Sequence, residues 1–153
     1  MLMNTRLLDN LHMRRALELA VLGEGQVAPN PLVGCVIVQD NHIIGEGWHQ
    51  RYGEAHAERN AVASVSDPLR LVGSTVYVNL EPCAHFGKTP PCCDLLIEHQ
   101  VSRVVISNLD PNPLVNGEGI RRMRTAGIAV VTGVLEEEGL LLNQAFFSQI
   151  REI

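Results

Sequence analysis

Between His56 and Cys92 the chain gathers an imidazole, thiols and a carboxylate within one short stretch. His56-Ala57-Glu58 opens an apolar segment. About one strand later, Pro82-Cys83 leads into the turn Ala84-His85-Phe86-Gly87-Lys88-Thr89-Pro90-Pro91, which ends at Cys92-Cys93. One imidazole and two thiolates suit zinc and leave a fourth position open for water. Zinc would lower the pKa of that water towards roughly 7. Glu58, two residues past His56, is near enough to move its protons, acting as base in one half of a reaction and acid in the other. The competing explanation is a capping or core histidine beside inert core thiols. It accounts for any one of these residues but not for the set. Spacing does not decide between Cys92 and Cys93, which point about 100° apart on a helix.

These groups need elements to hold them. Leu7 to Leu22 has helical periodicity, with Met13, Ala16, Leu17, Ala20 and Val21 on one face and Arg14, Arg15 and Glu18 on the other. Asp9 or Asn10 is expected to cap it. Pro29-Asn30-Pro31 cannot be helical and holds Asn30 in an extended path; turn chemistry is the plainer reason for an asparagine there. Gly34 to Val38 reads as a buried strand, with Cys35 as a core thiol. A turn at Asp40-Asn41-His42 returns the chain as a hairpin strand ending at His49, a residue that could equally be a surface histidine. A helix is expected from His56 to Val65, with His56 and Glu58 in its first turn. The strand Thr75 to Asn79 places Cys83 at its carboxyl end, where open α/β sheets bind ligands. Helix Asp94 to Gln100 starts just after Cys92 and Cys93, where the helix dipole lowers a thiol's pKa. A strand from Val101 to Ser107 leads into a second proline-framed loop, Asp110-Pro111-Asn112-Pro113. A helix from Gly117 to Ala126, a strand from Ile128 to Thr132 and one helix from Leu135 to Ile150 complete the chain. The fourth and fifth strands, joined by a helix, should be parallel. The expectation is an α/β fold, a three-layer α/β/α sandwich around a five-stranded mixed sheet.

At 153 residues the chain fits one domain with an ample core. Twelve Lys and Arg against 17 Asp and Glu give a net charge of −5. That balance disfavours a grip on nucleic acid phosphates and favours a small substrate. The cluster Arg121, Arg122 and Arg124 reads as a solvated helix face. No apolar run approaches the roughly 20 residues that span a bilayer. No export signal is visible and four cysteines accompany a large core, so metal binding or burial is expected rather than disulfides, and a cytoplasmic setting. Lys88, a cation inside the metal loop, slightly disfavours zinc. Capture of an anion such as a phosphate would justify it; a solvated surface lysine is the alternative.

His56-Ala57-Glu58 and Pro82-Cys83 match the first halves of the H-x-E…P-C-x-x-C signature of zinc deaminases. The eight residues between Cys83 and Cys92, instead of two, depart from it. That long loop, with Pro29 to Val38, Leu80 to Cys92 and Asp110 to Pro113, resembles the deaminase domains of bacterial riboflavin biosynthesis proteins. The resemblance runs from about Met13 to Phe147. It implies a cytidine-deaminase-like fold, one zinc per chain, and hydrolytic removal of a ring amine from a ribosylaminopyrimidine 5′-phosphate. It further implies His56, Cys83 and Cys92 as zinc ligands and Glu58 as proton shuttle. Asn30, His49 and His85 would line the pyrimidine and ribose site, and Lys88, Asp110 and Asn112 would hold the ribose-phosphate.

Family proteins usually continue into an NADPH-dependent reductase. Residues 1–153 are expected to form the deaminase domain alone, without NADPH, either as a stand-alone enzyme beside a separate reductase or as a fragment of the two-domain protein. Three alternatives stay open: a deaminase of another small nucleotide or free base, one acting on a transfer RNA adenosine, and a structural zinc module. The last normally closes four protein ligands around its metal. The oligomeric state is open, with the acidic, then apolar C-terminal helix a candidate surface for pairing with a second copy.

Overall fold

The computed structural model describes residues 4–87, 89–112 and 116–151. Strands β1 (Gly34–Gln39) and β2 (His42–Trp48) form a hairpin. Asp40 and Asn41 both have positive φ, 52° and 63°, the left-handed pair that a tight two-residue hairpin turn requires. With β3 (Thr75–Leu80), β4 (Arg103–Asn108) and β5 (Ala129–Val131) they build a five-stranded sheet in the order β2-β1-β3-β4-β5. β1 runs antiparallel to both β2 and β3, while β3, β4 and β5 are parallel. The sheet is mixed, as expected.

Among the described residues six α-helices cover it: α1 (Thr5–Val21), α2 (Ala57–Ser64), α3 (Cys92–Glu98), α4 (Glu118–Thr125), α5 (Glu136–Leu142) and α6 (Gln144–Arg151). Successive strand residues face opposite ways, and both faces are buried. Cys35, Ile37, Val76, Val78, Val104 and Ile106 pack with Ala61, Leu96 and Met123 from α2, α3 and α4. Val36, Tyr77 and Val105 pack with Met13, Ala16 and Leu19 of α1 on the other side. Continuous Val/Ile runs in the strands follow from this two-sided burial.

Two strand glycines set how closely the helices approach. A Cβ on Gly34 would sit 2.0 Å from the Ala16 carbonyl oxygen, and one on Gly47 would sit 2.4 Å from the Ala61 nitrogen. Helices α1 and α2 therefore lie directly on the β1–β2 backbone, and Gly45-Glu46-Gly47 is a packing device.

Two helix expectations are corrected. Asn4 caps α1, its side chain accepting the Arg6 N–H at 2.8 Å, and Asp9 and Asn10 lie inside the helix. The buried face is Asp9, His12, Met13, Ala16, Leu19 and Ala20, while Val21 is exposed. Met13, Ala16 and Ala20 face the core as expected; apolar periodicity left out Asp9 and His12 because they are polar. The expected single C-terminal helix is instead α5 and α6, broken at Asn143. The Asn143 side chain accepts the Leu32 N–H at 2.7 Å and donates to the Leu32 carbonyl at 2.9 Å. Asn79 completes this clamp, donating to the Leu32 carbonyl at 3.0 Å and accepting the Gly34 N–H at 2.8 Å.

Asp9 is buried because its carboxylate has partners. It accepts from both terminal nitrogens of Arg103 on β4 and from the Tyr77 hydroxyl on β3 at 2.8 Å. Burial alone would raise its pKa; the bonds from Arg103 and Tyr77 outweigh that and hold it below the ordinary 3.8. A depressed carboxylate stabilises the fold above its unfolded pKa and loses that contribution as pH falls through the folded value. Below about pH 4, wild type is therefore expected to lose stability more steeply than Asp9→Asn, measured as denaturation midpoints from pH 7 to pH 3. Parallel pH profiles would refute the triad's role.

Candidate metal centre and its pocket

His56 is the N-cap position of α2, but its side chain makes no capping hydrogen bond. The ring turns instead towards the sulfurs. His56 Nδ1 lies 3.7 Å from Cys83 Sγ and 3.4 Å from Cys92 Sγ, and the three donor atoms fall within 4.8 Å of one another. Donors on one tetrahedral zinc at about 2.0–2.3 Å would sit about 3.3–3.8 Å apart. The residues fit the ion, and the donor set suits zinc. His56 is exposed, Cys83 half-buried and Cys92 buried, so the group opens to solvent on the imidazole side.

Local structure explains the convergence. Cys83 follows β3 across Pro82, and Cys92 is the first residue of α3. The Cys92 backbone N–H points at Cys83 Sγ, 3.2 Å away, and the Cys93 N–H donates to the Cys83 carbonyl at 3.1 Å. The Cys92 thiol's hydrogen bond to the Cys83 sulfur, working against burial and aided by His56 and the Cys92 N–H, pulls the Cys83 thiol down to about 4. That same bond, with burial, keeps the Cys92 proton in place. A cation with two thiolate ligands must displace this last proton. Cys93 is buried in the core with its sulfur 3.7 Å from Asp94 Oδ1, and Cys35 is fully buried. The structure thus groups Cys92, and neither Cys93 nor Cys35, with His56 and Cys83.

A cavity of about 250 Å³ adjoins this group, lined among others by Asn30, His49, His56, Glu58, His85 and Asp110. A second, about 440 Å³, shares Asn30, His56, Cys83 and His85 with it and reaches Thr89 and Cys92. Together they form one trough beside the three donors. Another surface cleft, about 720 Å³ between the start of α1 and residues 131–138, holds none of the expected site residues.

Glu58 is buried in the first turn of α2. Burial, reinforced by the Cys83 thiolate, pushes its carboxyl up to about 7. His49 is held by two bonds. Its Nδ1 is 3.1 Å from the Ala55 carbonyl, which can only accept, so Nδ1 carries the proton. Its Nε2 therefore accepts from Asn30 Nδ2 at 3.1 Å. Burial keeps the ring neutral by lowering its pKa. The Asn30 amide is thereby oriented, and its oxygen makes no hydrogen bond among the described residues. In the second loop, Asp110 Oδ1 accepts the Asn112 N–H at 2.9 Å, so both residues sit in one tight turn. Lys88 lies outside the described residues.

Several residues of the pocket region carried little local signal. Phe146 and Glu81 line the smaller cavity, and Asn79 and Asn143 hold the backbone two residues past Asn30. The acidic residue before Pro82-Cys83 and the breaking asparagine inside an apolar helix were the only cues.

A mixed five-stranded sheet that brings one His and two Cys together beside a cavity lined by a buried Glu is the arrangement of a zinc deaminase. The pattern described as the cytidine and deoxycytidylate deaminase zinc-binding region matches residues 7–108, and the chain belongs to that family. Within it, the chain is 50% identical over 143 residues to the diaminohydroxyphosphoribosylamino-pyrimidine deaminase of Buchnera aphidicola subsp. Schizaphis graminum, covering 94% of this chain and 96% of that protein. It is also 50% identical over 143 residues to the riboflavin biosynthesis protein RibD of Escherichia coli, covering 94% of this chain but 38% of that one. Among solved structures, the Thermotoga maritima diaminohydroxyphosphoribosylaminopyrimidine deaminase/5-amino-6-(5-phosphoribosylamino)uracil reductase superposes with a TM-score of 0.92 at 46% identity, covering 97% of this chain and 43% of that chain. The chain thus spans about two fifths of its longer relatives. Among the described residues no helix is long and apolar enough to cross a membrane.

Proposed function

We propose that this chain hydrolyses the ring amine of 2,5-diamino-6-ribosylamino-4(3H)-pyrimidinone 5′-phosphate, releasing ammonia and the corresponding 5-amino-6-ribosylaminouracil 5′-phosphate in riboflavin biosynthesis. The observation that carries this is the meeting of His56 Nδ1 and two cysteine sulfurs beside a cavity that also holds buried Glu58. The shared identity with the Buchnera deaminase along nearly its whole length supports the choice of substrate.

His56, Cys83 and Cys92 would hold the zinc. When bound, zinc supplies an acidified water near neutral pH. Glu58 takes a proton from the attacking water and delivers it to the ring nitrogen next to the carbon under attack. It then takes the second water proton and gives it to the exocyclic nitrogen as the C–N bond breaks, so ammonia departs and a carbonyl remains. A carboxyl near 7 suits both directions of transfer. Asn30, fixed by neutral His49, presents its amide to the pyrimidine, with His85 across the same cavity. Asp110 and Asn112 hold the ribose-phosphate with Lys88. The net charge of −5 suits a small anionic ligand only if cations such as Lys88 gather locally. Reduction, the second activity named for the Thermotoga maritima relative, has no part in this reading of residues 1–153.

Ammonia release from the diaminopyrimidinone ribotide, from cytosine-type substrates and from a transfer RNA stem-loop tests the reading. Turnover is expected on the ribotide; none on it, with turnover on either other substrate, would overturn the assignment. Lys88→Ala is expected to raise KM for the ribotide about tenfold or more, roughly the worth of one charged contact, and to leave the dephosphorylated analogue nearly unchanged. Equal losses on both would remove the phosphate contact.

A further inference from the structure

Glu81 ends the turn out of β3, immediately before Pro82-Cys83. It is buried and lines the same cavity as Glu58, yet its oxygens are already engaged. Oε1 accepts the Asp110 N–H at 3.1 Å and the Gly117 N–H at 3.0 Å, and Oε2 accepts the Gly119 N–H at 3.1 Å. All three donors belong to the connection from β4 into the first turn of α4. The N-cap position of that helix is Gly117, which has no side chain to cap it. Glu81 supplies the missing cap from the neighbouring strand, where a carboxylate also suits the positive end of the helix. Gly119 permits the approach, since a Cβ there would lie 2.4 Å from the Pro82 carbonyl oxygen. The first turn of α4 is therefore seated on the backbone that carries Cys83. With three N–H groups bound, Glu81 is poorly placed to shuttle protons, which leaves that work to Glu58.

We propose that Glu81 is a positioning residue of the deaminase: one carboxylate that fixes the Asp110–Asn112 turn, and so the ribose-phosphate end of the ligand, against the metal-binding loop. The proposal rests on the substrate reading above. It places in a single side chain the register between the two ends of the substrate, the reacting carbon near Cys83 and the sugar near Asp110. Loss of Glu81 should loosen substrate placement while the three metal donors stay where they are.

The test uses the zinc-loaded full chain with Glu81→Ala and Glu81→Gln, read by amide hydrogen exchange, zinc content and steady-state kinetics on the ribotide. In Glu81→Ala, exchange at Asp110, Gly117 and Gly119 is expected to quicken by about tenfold or more while β3 and β4 amides hold their rates. Zinc stays at one per chain, and KM rises about tenfold with kcat changing less than about threefold. Glu81→Gln, which keeps the shape and one acceptor oxygen, should fall between wild type and Ala and carries the test if Ala does not fold. Unchanged exchange at the three amides, or an unchanged KM, overturns the proposal. So does zinc loss with KM preserved, which would make Glu81 a prop for the metal loop. If wild type releases no ammonia from the ribotide, the substrate reading fails, and the exchange measurement alone still decides whether Glu81 holds the turn.

Discussion

Glu58→Gln is expected to retain one zinc per chain and to release ammonia about 10²–10⁴-fold more slowly than wild type, the usual worth of a positioned acid–base group. The reasoning is geometric before it is electrostatic. Glu58 lies in the first turn of α2, buried against the cavity, and is not one of the three convergent donors. Glutamine fills the same space and cannot accept a proton from water or return one to the departing nitrogen. Metal content by atomic absorption and ammonia release on the same sample separate the two effects. A variant that turns over at the wild-type rate removes Glu58 from the mechanism. One that loses its zinc would make the carboxylate part of the metal's support.

The neighbouring cysteines give the second large contrast. Cys92→Ala is expected to weaken zinc binding by more than about 10²-fold, beyond the usual cost of disturbing even a ligand's supporting partner, with activity falling alongside. Cys93→Ala should keep both zinc and turnover and cost about 1 kcal/mol of stability through a small core void. Cys92 Sγ is 3.4 Å from His56 Nδ1, whereas Cys93 packs among the core residues of the α2–α3–α4 face. Thermal unfolding with and without added zinc supplies an independent readout: wild type and Cys93→Ala rise in Tm with the metal, and Cys92→Ala does not. The reverse pattern would move the site by one residue.

The zinc loop was readable because its chemistry is written locally. His56-Ala57-Glu58 and Pro82-Cys83 specify residue types at fixed spacing, and strand and helix periodicity put them at element ends. Strand order was less direct, although the helix between the last two strands implied that they are parallel, which they are. What escaped was decided by partners distant in sequence. Asp9 looked like a cap because nothing near it announces Arg103 or Tyr77. Asn143 looked like one more helical residue because its partner, Leu32, belongs to a loop at the other end of the chain. Glu81 looked like the end of a strand, and its three donors come from beyond β4. The choice between Cys92 and Cys93 needed the path of the Cys83 loop, which brings the Cys92 N–H onto Cys83 Sγ.

The clamp of Asn143 on Leu32, with Phe146 against the same cavity, has a consequence for the order in which the protein is made. On the ribosome, all three metal donors have emerged once residue 92 clears the exit tunnel. The wall that faces Asn30 includes Phe146, made some fifty residues after the last metal donor. All three metal donors are thus synthesised ahead of the segment that closes the cavity beside Asn30.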